Sequence, residues 1–427
     1  MSNIDRNIAP EINEIRDVKI GNPNEFTLSN GVNVFGFNAG TQDIIRIELM
    51  VRAGAKYHKN KRLPIVVNKL LTEGTDEMSG DAIAALIDFY GATLTTKVTN
   101  DYAIVSLTTL NKYLKETLEV LAAVFSKASF PRKELDLYLT KKSQELAINN
   151  QRTDFVARDR FPSLLFGEDN AYGRPSYIED YQNVDTAQLK EFYNRYYRDN
   201  EFEIHLSGRV NEELHGLLEG YFGGFKNNAV EEVTLRDFSP SSVREHRIEF
   251  PQAVQNSLRL GRRWPGRKHD DYAPLQVLIT LFGGYFGSRL MMNIREDKGY
   301  TYGIGAGVSH YRDASFMFIA SDVKAEVTED ALNEIYKEMQ KLKDAKVSDY
   351  ELKLVKTVMQ GAFQRGFDGP FATGDRFKDM RMAGMDFAFY RDYLEKLKSA
   401  TPEDIQRLAN EYFIKENIYE LITGKLN

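Results

Sequence analysis

Two stretches of the chain carry the same pattern of apolar and polar positions. Residues 186–210 (TAQLKEFYNRYYRDNEFEIHLSGRV) and 402–426 (PEDIQRLANEYFIKENIYELITGKL) align without a gap at an offset of 216. Leu189 falls on Ile405, Phe192 on Leu408, Asn194 on Asn410, Tyr196 on Tyr412 and Gly208 on Gly424. In both, apolar residues recur at helical spacing, pause at a short polar break and resume as a strand that ends in glycine. At the same offset Asp159-Arg160-Phe161 falls on Asp375-Arg376-Phe377. A repeat of about 210 residues is too long for a solenoid unit, so each copy is predicted to be a domain.

Inside each copy the pattern alternates between strands and long helices. Residues 26–34 hold a central Asn30-Gly31 and predict a β-hairpin. Strands at roughly 44–53 and 93–109 bracket helices at 63–73 and 80–90, which close at Gly74 and Gly91 as helix ends favour. A long helix follows Pro131, from about Arg132 to Asn150. The second copy predicts helices at 272–282 and 286–297, strands near 301–309 and 314–322, and helices at 328–343 and 348–364. Gly303, Gly305 and Gly307 alternate along the first of those strands, which predicts close approach of another backbone or edge pairing with an extended peptide. The polar stretch 226–249, with Pro240 between serines, reads as the linker between a domain at 1–225 and a second at 250–427. The predicted fold class is α+β: two tandem homologous domains, each a mainly antiparallel sheet covered by helices.

Composition removes several functions. The 427 residues include 56 Lys+Arg and 62 Asp+Glu, a net charge of −6, which argues against a nucleic-acid binder. The basic runs Lys59-Asn60-Lys61-Arg62 and Arg262-Arg263 read as solvated helix ends or turns. With no cysteine there is no thiol nucleophile, thiolate zinc cluster or disulfide. The first 18 residues lack a positively charged start followed by an apolar run, and no apolar stretch is long enough for a membrane span. A cytoplasmic address is the simplest expectation, with a periplasmic one left open. The six histidines are His58, His205, His215, His246, His269 and His310, the closest pair ten residues apart. No two sit at i and i+4, the spacing at which one helix holds a peptidase zinc.

The segments Leu28-Ser29-Asn30-Gly31-Val32, Leu71-Thr72-Glu73-Gly74-Thr75 and Phe192-Tyr193-x-x-Tyr196-Tyr197 nevertheless resemble landmarks of the pitrilysin-like zinc peptidases, the M16 family that includes mitochondrial processing peptidase and insulin-degrading enzyme. The most specific are Ser288-Arg289-Leu290 and Ile294-Arg295-Glu296-Asp297-Lys298-Gly299-Tyr300-Thr301-Tyr302. The resemblance spans nearly the whole chain and implies tandem α+β domains of the fold shared with LuxS-type metallohydrolases.

The family's His-x-x-Glu-His signature lies on a helix just before the Gly-Thr. Counted back from Gly74-Thr75, its positions hold Ile65, Asn68 and Lys69. None can serve the family's zinc chemistry, since an ammonium replaces an imidazole and Asn68 cannot act as a general base. Glu145 stands where the family has its third ligand, on a helix roughly 75 residues further on. The resemblance therefore implies no cofactor in this chain. With Ile65, Val66 and Leu70 facing the core, Lys69 is expected to turn toward Glu145 and contact it, directly or through one water, in the place of the metal.

The resemblance also implies that Arg295 and Tyr302, seven residues apart, grip substrate near the scissile bond. Physically, Arg295 is expected in the last turn of a helix, Gly299 at the reversal and Tyr302 on the next strand, offering donors to a peptide carbonyl and its developing oxyanion. The plainer alternative has Arg295 capping its helix while Tyr302 packs along one strand face with Tyr300 and Ile304. Gly283-Gly284-Tyr285-Phe286-Gly287-Ser288 lacks the ending of a phosphate-binding loop. The implied function is a subunit inactive on its own, supplying Arg295 and Tyr302 to a heterodimeric zinc endopeptidase. Its expected partners are a peptide substrate and a homologous subunit that carries His-x-x-Glu-His and the zinc. The alternative is a non-catalytic scaffold subunit, like the core proteins of the respiratory bc1 complex.

Overall fold

Asn30-Gly31 turns the chain between β1 (Asn24–Thr27) and β2 (Asn33–Asn38), which pair antiparallel with Phe26 opposite Val34. Gly31 adopts φ +86°, a conformation that costs a residue with a side chain far more than glycine. The computed structural model describes Val18 and residues 20–426 apart from 199, 212, 231 and 236. The reading of the first residues as free of a leader peptide concerns 1–17, outside the described residues. No helix among the described residues is long and apolar enough to cross a membrane.

After β3 (Ile44–Val51), the predicted strand at 93–109 is in fact a hairpin, β4 (Thr93–Val98) and β5 (Ala103–Leu110). Thr99 Oγ1 breaks the run by accepting the N–H groups of Asp101 and Tyr102 at 3.2 and 2.9 Å. With β6 (Phe202–Gly208) these strands form a sheet of order β1-β2-β6-β3-β5-β4, antiparallel except between β2 and β6. The second sheet comprises β7 (Glu245–Glu249), β8 (Gln255–Arg263), β9 (Thr301–His310), β10 (Ser315–Lys324) and β11 (Tyr419–Gly424). Its order is β7-β11-β8-β10-β9, and only β7 and β11 are parallel. With β1 set aside, the two orders coincide strand for strand, so the sequence repeat is a repeat of fold.

The aligned windows fold alike in detail. Asp185 and Thr401, at the repeat offset, both open helices (Thr186–Tyr193 and Pro402–Tyr412) with reciprocal capping boxes, to Gln188 and Asp404. Gly208 and Gly424 end β6 and β11 where a Cβ would strike Ile44 O and Asn256 Oδ1.

Alternation along β3 sends Ile45, Ile47, Leu49 and Val51 into a core beneath the helices Arg62–Leu70 and Leu114–Ser126. Arg46, Glu48 and Met50 face the other way. That face is covered from the far end of the chain by the helix Gly369–Met382. Phe377 and Met380 pack against Phe35 and Phe37 of β2. Lys378 Nζ lies 2.7 Å from both Glu48 carboxylate oxygens, and Arg46 Nη2 lies 2.8 Å from Asp375 Oδ1. In exchange the helix Thr153–Phe166 lies on the second sheet. Phe161, Leu165 and Phe166 join Phe316, Tyr419 and Leu421 there, and Thr423 Oγ1 donates to Thr153 O at 2.8 Å. The repeated Asp-Arg-Phe triplets lie on these two helices. Each half thus lends a helix to the other, and β7 occupies the last residues of the stretch read as linker. The continuous division at 225 and 250 does not describe this exchange.

The β4–β5 and β9–β10 turns meet at a buried charged cluster. Lys56, 0% exposed at its side chain, places Nζ 2.9 Å from Asp101 Oδ1 and 3.2 Å from Asp313 Oδ2. Tyr172 Oη lies 2.8 and 3.0 Å from the same two oxygens, and its ring stacks on Tyr311 at 4.4 Å. Burial first, and then the two carboxylates, push the Tyr172 pKa up, so its phenol stays a donor.

Candidate functional site

Asn60 Oδ1 accepts the Arg62 N–H at 2.9 Å at the start of the helix Arg62–Leu70. Helical periodicity buries Val66 and Leu70, as expected, and Val67 as well, but leaves Ile65 only half-buried. Asn68 points inward and donates from Nδ2 to Tyr197 Oη at 3.1 Å. Tyr197 belongs to the π-helical stretch Asn194–Arg198; burial raises its pKa, and the Asn68 hydrogen bond opposes that only in part.

Lys69 is exposed and pairs with Glu73 at 2.8 Å, one turn along its own chain. Glu145, on the helix Arg132–Asn149, pairs with Lys142 at 2.6 Å, and that hydrogen bond holds its carboxyl below the usual range. Of the expected Lys69–Glu145 contact, direct or through one water, the direct form is absent. Partners at i+4 and i−3 satisfy both charges with little extra ordering, which a contact between helices would have to outbid. These positions do not fit zinc: Ile65 has no donor atom, Asn68 is committed to Tyr197, and Lys69 brings a cation. Among the described residues no group of three or more His, Asp or Glu side chains could hold a metal ion.

The second half places Arg295 in a π-helical turn, Met291–Asp297. Gly299 closes the turn at φ +66°, with its N–H on Arg295 O at 3.1 Å, and the Tyr300 N–H reaches Ile294 O at 3.0 Å. The chain then enters β9, where Thr301 Oγ1 donates to Asp322 O at 2.7 Å. β9 is one of the two outer strands of its sheet. The backbone of Gly283 does approach this strand, where an added Cβ would lie 2.6 Å from Ala306 N. Of the three alternating glycines only Gly305 faces it, at a point where a Cβ would lie 3.5 Å from Gly283 O. Gly307 faces the Phe318 ring, and a Cβ on Gly303 would meet nothing within 4 Å among the described residues.

Tyr302 is 91% exposed, so it does not pack along a strand face with Tyr300 and Ile304. The Arg295 guanidinium lies 4.8 Å from the centre of the Phe286 ring, and its Nε is 3.5 Å from Glu296 Oε1. Its two Nη groups have no hydrogen-bond partner among the described residues. A planar fork with a free end and an exposed phenol on the next element are donors suited to carbonyl and carboxylate oxygens. Arg295 and Tyr302 bond neither to one another nor to the helix Arg62–Leu70 among the described residues.

Two residues of this arrangement escaped the sequence reading. Phe286 is 64% exposed and carries the Arg295 guanidinium; an aromatic between glycines was its only signal. Tyr197 was noted as a landmark, but its bond to Asn68 spans 129 positions and has no local pattern.

Comparison with known proteins bears on the whole chain. Residues 37–174 match the family model described as Insulinase (Peptidase family M16), and residues 183–359 match Peptidase M16 inactive domain. Uncharacterized zinc protease YmxG of Bacillus subtilis is 21% identical over 406 residues, 94% of this chain and 98% of that protein. Probable inactive metalloprotease YmfF of the same organism is 23% identical over 369 residues, 80% of this chain and 82% of that protein. The crystal structure of a peptidase M16 inactive domain from Pseudomonas fluorescens superposes with a TM-score of 0.86 at 20% identity, covering 95% of this chain and 98% of that one.

Proposed function

Because the chain belongs to peptidase family M16, we propose that it is the zinc-free subunit of a heterodimeric zinc endopeptidase. A homologous subunit carrying His-x-x-Glu-His holds the metal, and this chain holds the peptide. The observation that carries the reading is the contrast between its two halves. The first half has lost every donor but Glu145 at the metal positions. The second keeps Arg295 with a free guanidinium end, seven residues before an exposed Tyr302 on an outer strand. In the assembled enzyme Arg295 and Tyr302 donate to a substrate carbonyl and orient it; the zinc chemistry belongs to the partner.

The test is to produce the chain with a homologue carrying His-x-x-Glu-His. Co-purification, with peptide hydrolysis only in the mixture, supports the reading. Failure to associate, or hydrolysis by this chain alone, overturns it.

A further inference from the structure

Arg263, Arg267 and Lys268 lie within six residues where β8 ends, and none forms an ion pair among the described residues. They line a cavity of about 390 Å³ together with Trp264, His310 and Arg312. Arg312 is neutralised by Glu232, and Asp313, the carboxylate in this lining, by Lys56. Burial first, and then Arg267, hold the His310 pKa down to about 3, so that ring adds no charge at pH 7. Asp379 sits in an adjoining recess, where burial raises its pKa and Arg267 is the foremost charge opposing that, and it forms no ion pair among the described residues. A chain of net charge −6 therefore presents three unpaired cations to one concavity. Trp264 is 5% exposed, and its indole N–H has no acceptor, an arrangement that a bound acceptor would relieve.

We propose that this cavity binds a small phosphate-bearing anion. Guanidinium forks meet phosphate oxygens two at a time, and a lysine adds a point charge. Three positive charges suit a multiply charged anion better than a single carboxylate. Ala314, Ala383 and Met385 in the same lining give an organic portion an apolar seat. The adjoining recess is lined by Thr99–Tyr102 of the first half as well as His310–Arg312 of the second, so the ligand lies beside the joint between the halves.

The experiment is a calorimetric titration of the full chain with inorganic pyrophosphate at fixed ionic strength. One saturable site is expected. Arg263→Ser and Lys268→Ser alter exposed side chains that carry no fold contact to a carboxylate. Each should weaken binding about tenfold, and the double variant more; Lys268→Ser should leave the unfolding midpoint unchanged in the absence of ligand, whereas Arg263→Ser also gives up its stacking on the Phe238 ring at 4.3 Å. No saturable heat up to ~10 mM, or equal affinity in the double variant, overturns the proposal. So does tighter binding of a phosphate-free acidic peptide that is lost in the same variants.

Discussion

Asn68 donates its side-chain amide to the phenol oxygen of Tyr197 across 3.1 Å, with both residues buried beneath the first sheet's helices. The position read from the sequence as that of a lost general base is thus part of the core. Asn68→Ala should strand the Tyr197 hydroxyl and cost about 1–3 kcal/mol of stability. Adding Tyr197→Phe should return part of that loss. Urea unfolding of both variants checks this, and strictly additive losses would deny the coupling.

The full chain, purified without a partner, should carry less than about 0.1 zinc by elemental analysis, because two of the three ligands of a His₂Glu site are missing. Ile65→His with Asn68→Glu and Lys69→His supplies the two missing imidazoles and, if Glu145 completes the set, should raise zinc toward one per chain. One tightly held zinc in the unmodified chain would contradict this account.

In a reconstituted heterodimer, Arg295→Ala or Tyr302→Phe should reduce peptide turnover by roughly 10²–10³-fold, the usual cost of removing one donor to an oxyanion. Phe286→Ala should give a smaller loss that Phe286→Trp restores, since the ring supports Arg295 through its face. None of the three side chains is buried, so melting temperatures should stay within the range of surface changes. Unchanged turnover in both Arg295 and Tyr302 variants would remove the substrate-gripping role.

Lys56→Met should be among the most damaging single changes. It leaves the carboxylates of Asp101 and Asp313 facing each other without their shared cation, and breaking such a buried pair costs about 3–5 kcal/mol. Lys56→Met with Asp313→Asn should be milder. The urea midpoint reads both.

Acid stability should depend on Glu203. Burial works against its ionisation, but hydrogen bonds with His205 and Arg381 more than compensate and lower its pKa from 4.5 to about 2. His205 Nε2 lies 3.2 Å from Glu203 Oε2, and its Nδ1 is unpartnered, so Nε2 carries the proton. A folded pKa below the unfolded one contributes stability that is complete above about pH 4.5 and lost as pH falls toward 2. The amount is on the order of 3 kcal/mol. Compared with the unmodified chain, Glu203→Gln should be less stable at pH 6, and the gap should close between pH 4.5 and 2. A gap independent of pH would refute the assignment.

The repeat, the strands that end in glycine and the Arg295-to-Tyr302 turn were legible because each rests on local spacing. The exchanged helices were not. Thr153–Phe166 contains Pro162, and its apolar residues do not form one helical stripe because it packs between sheet and neighbouring segments. Lys56 and Asp313 meet across 257 positions, and isolated charges in turns carry no periodicity. Arg263 looked like part of a solvated turn; it ends a strand, and only the fold brings it beside Arg267 and Lys268 at one cavity.

The lent helices also set an order of events during synthesis. The last strand of the first sheet ends at Gly208, but the helix that covers its charged face ends at Met382, 174 residues later. At about 5–20 residues per second that interval is roughly 10–35 s. For that time the nascent first half holds Arg46, Glu48, Glu203 and the rings of Phe35 and Phe37 uncovered. A ribosome stalled before residue 369 would therefore display a sheet with no lid, a ready substrate for chaperones, and two halves produced separately would each lack the helix that the other lends.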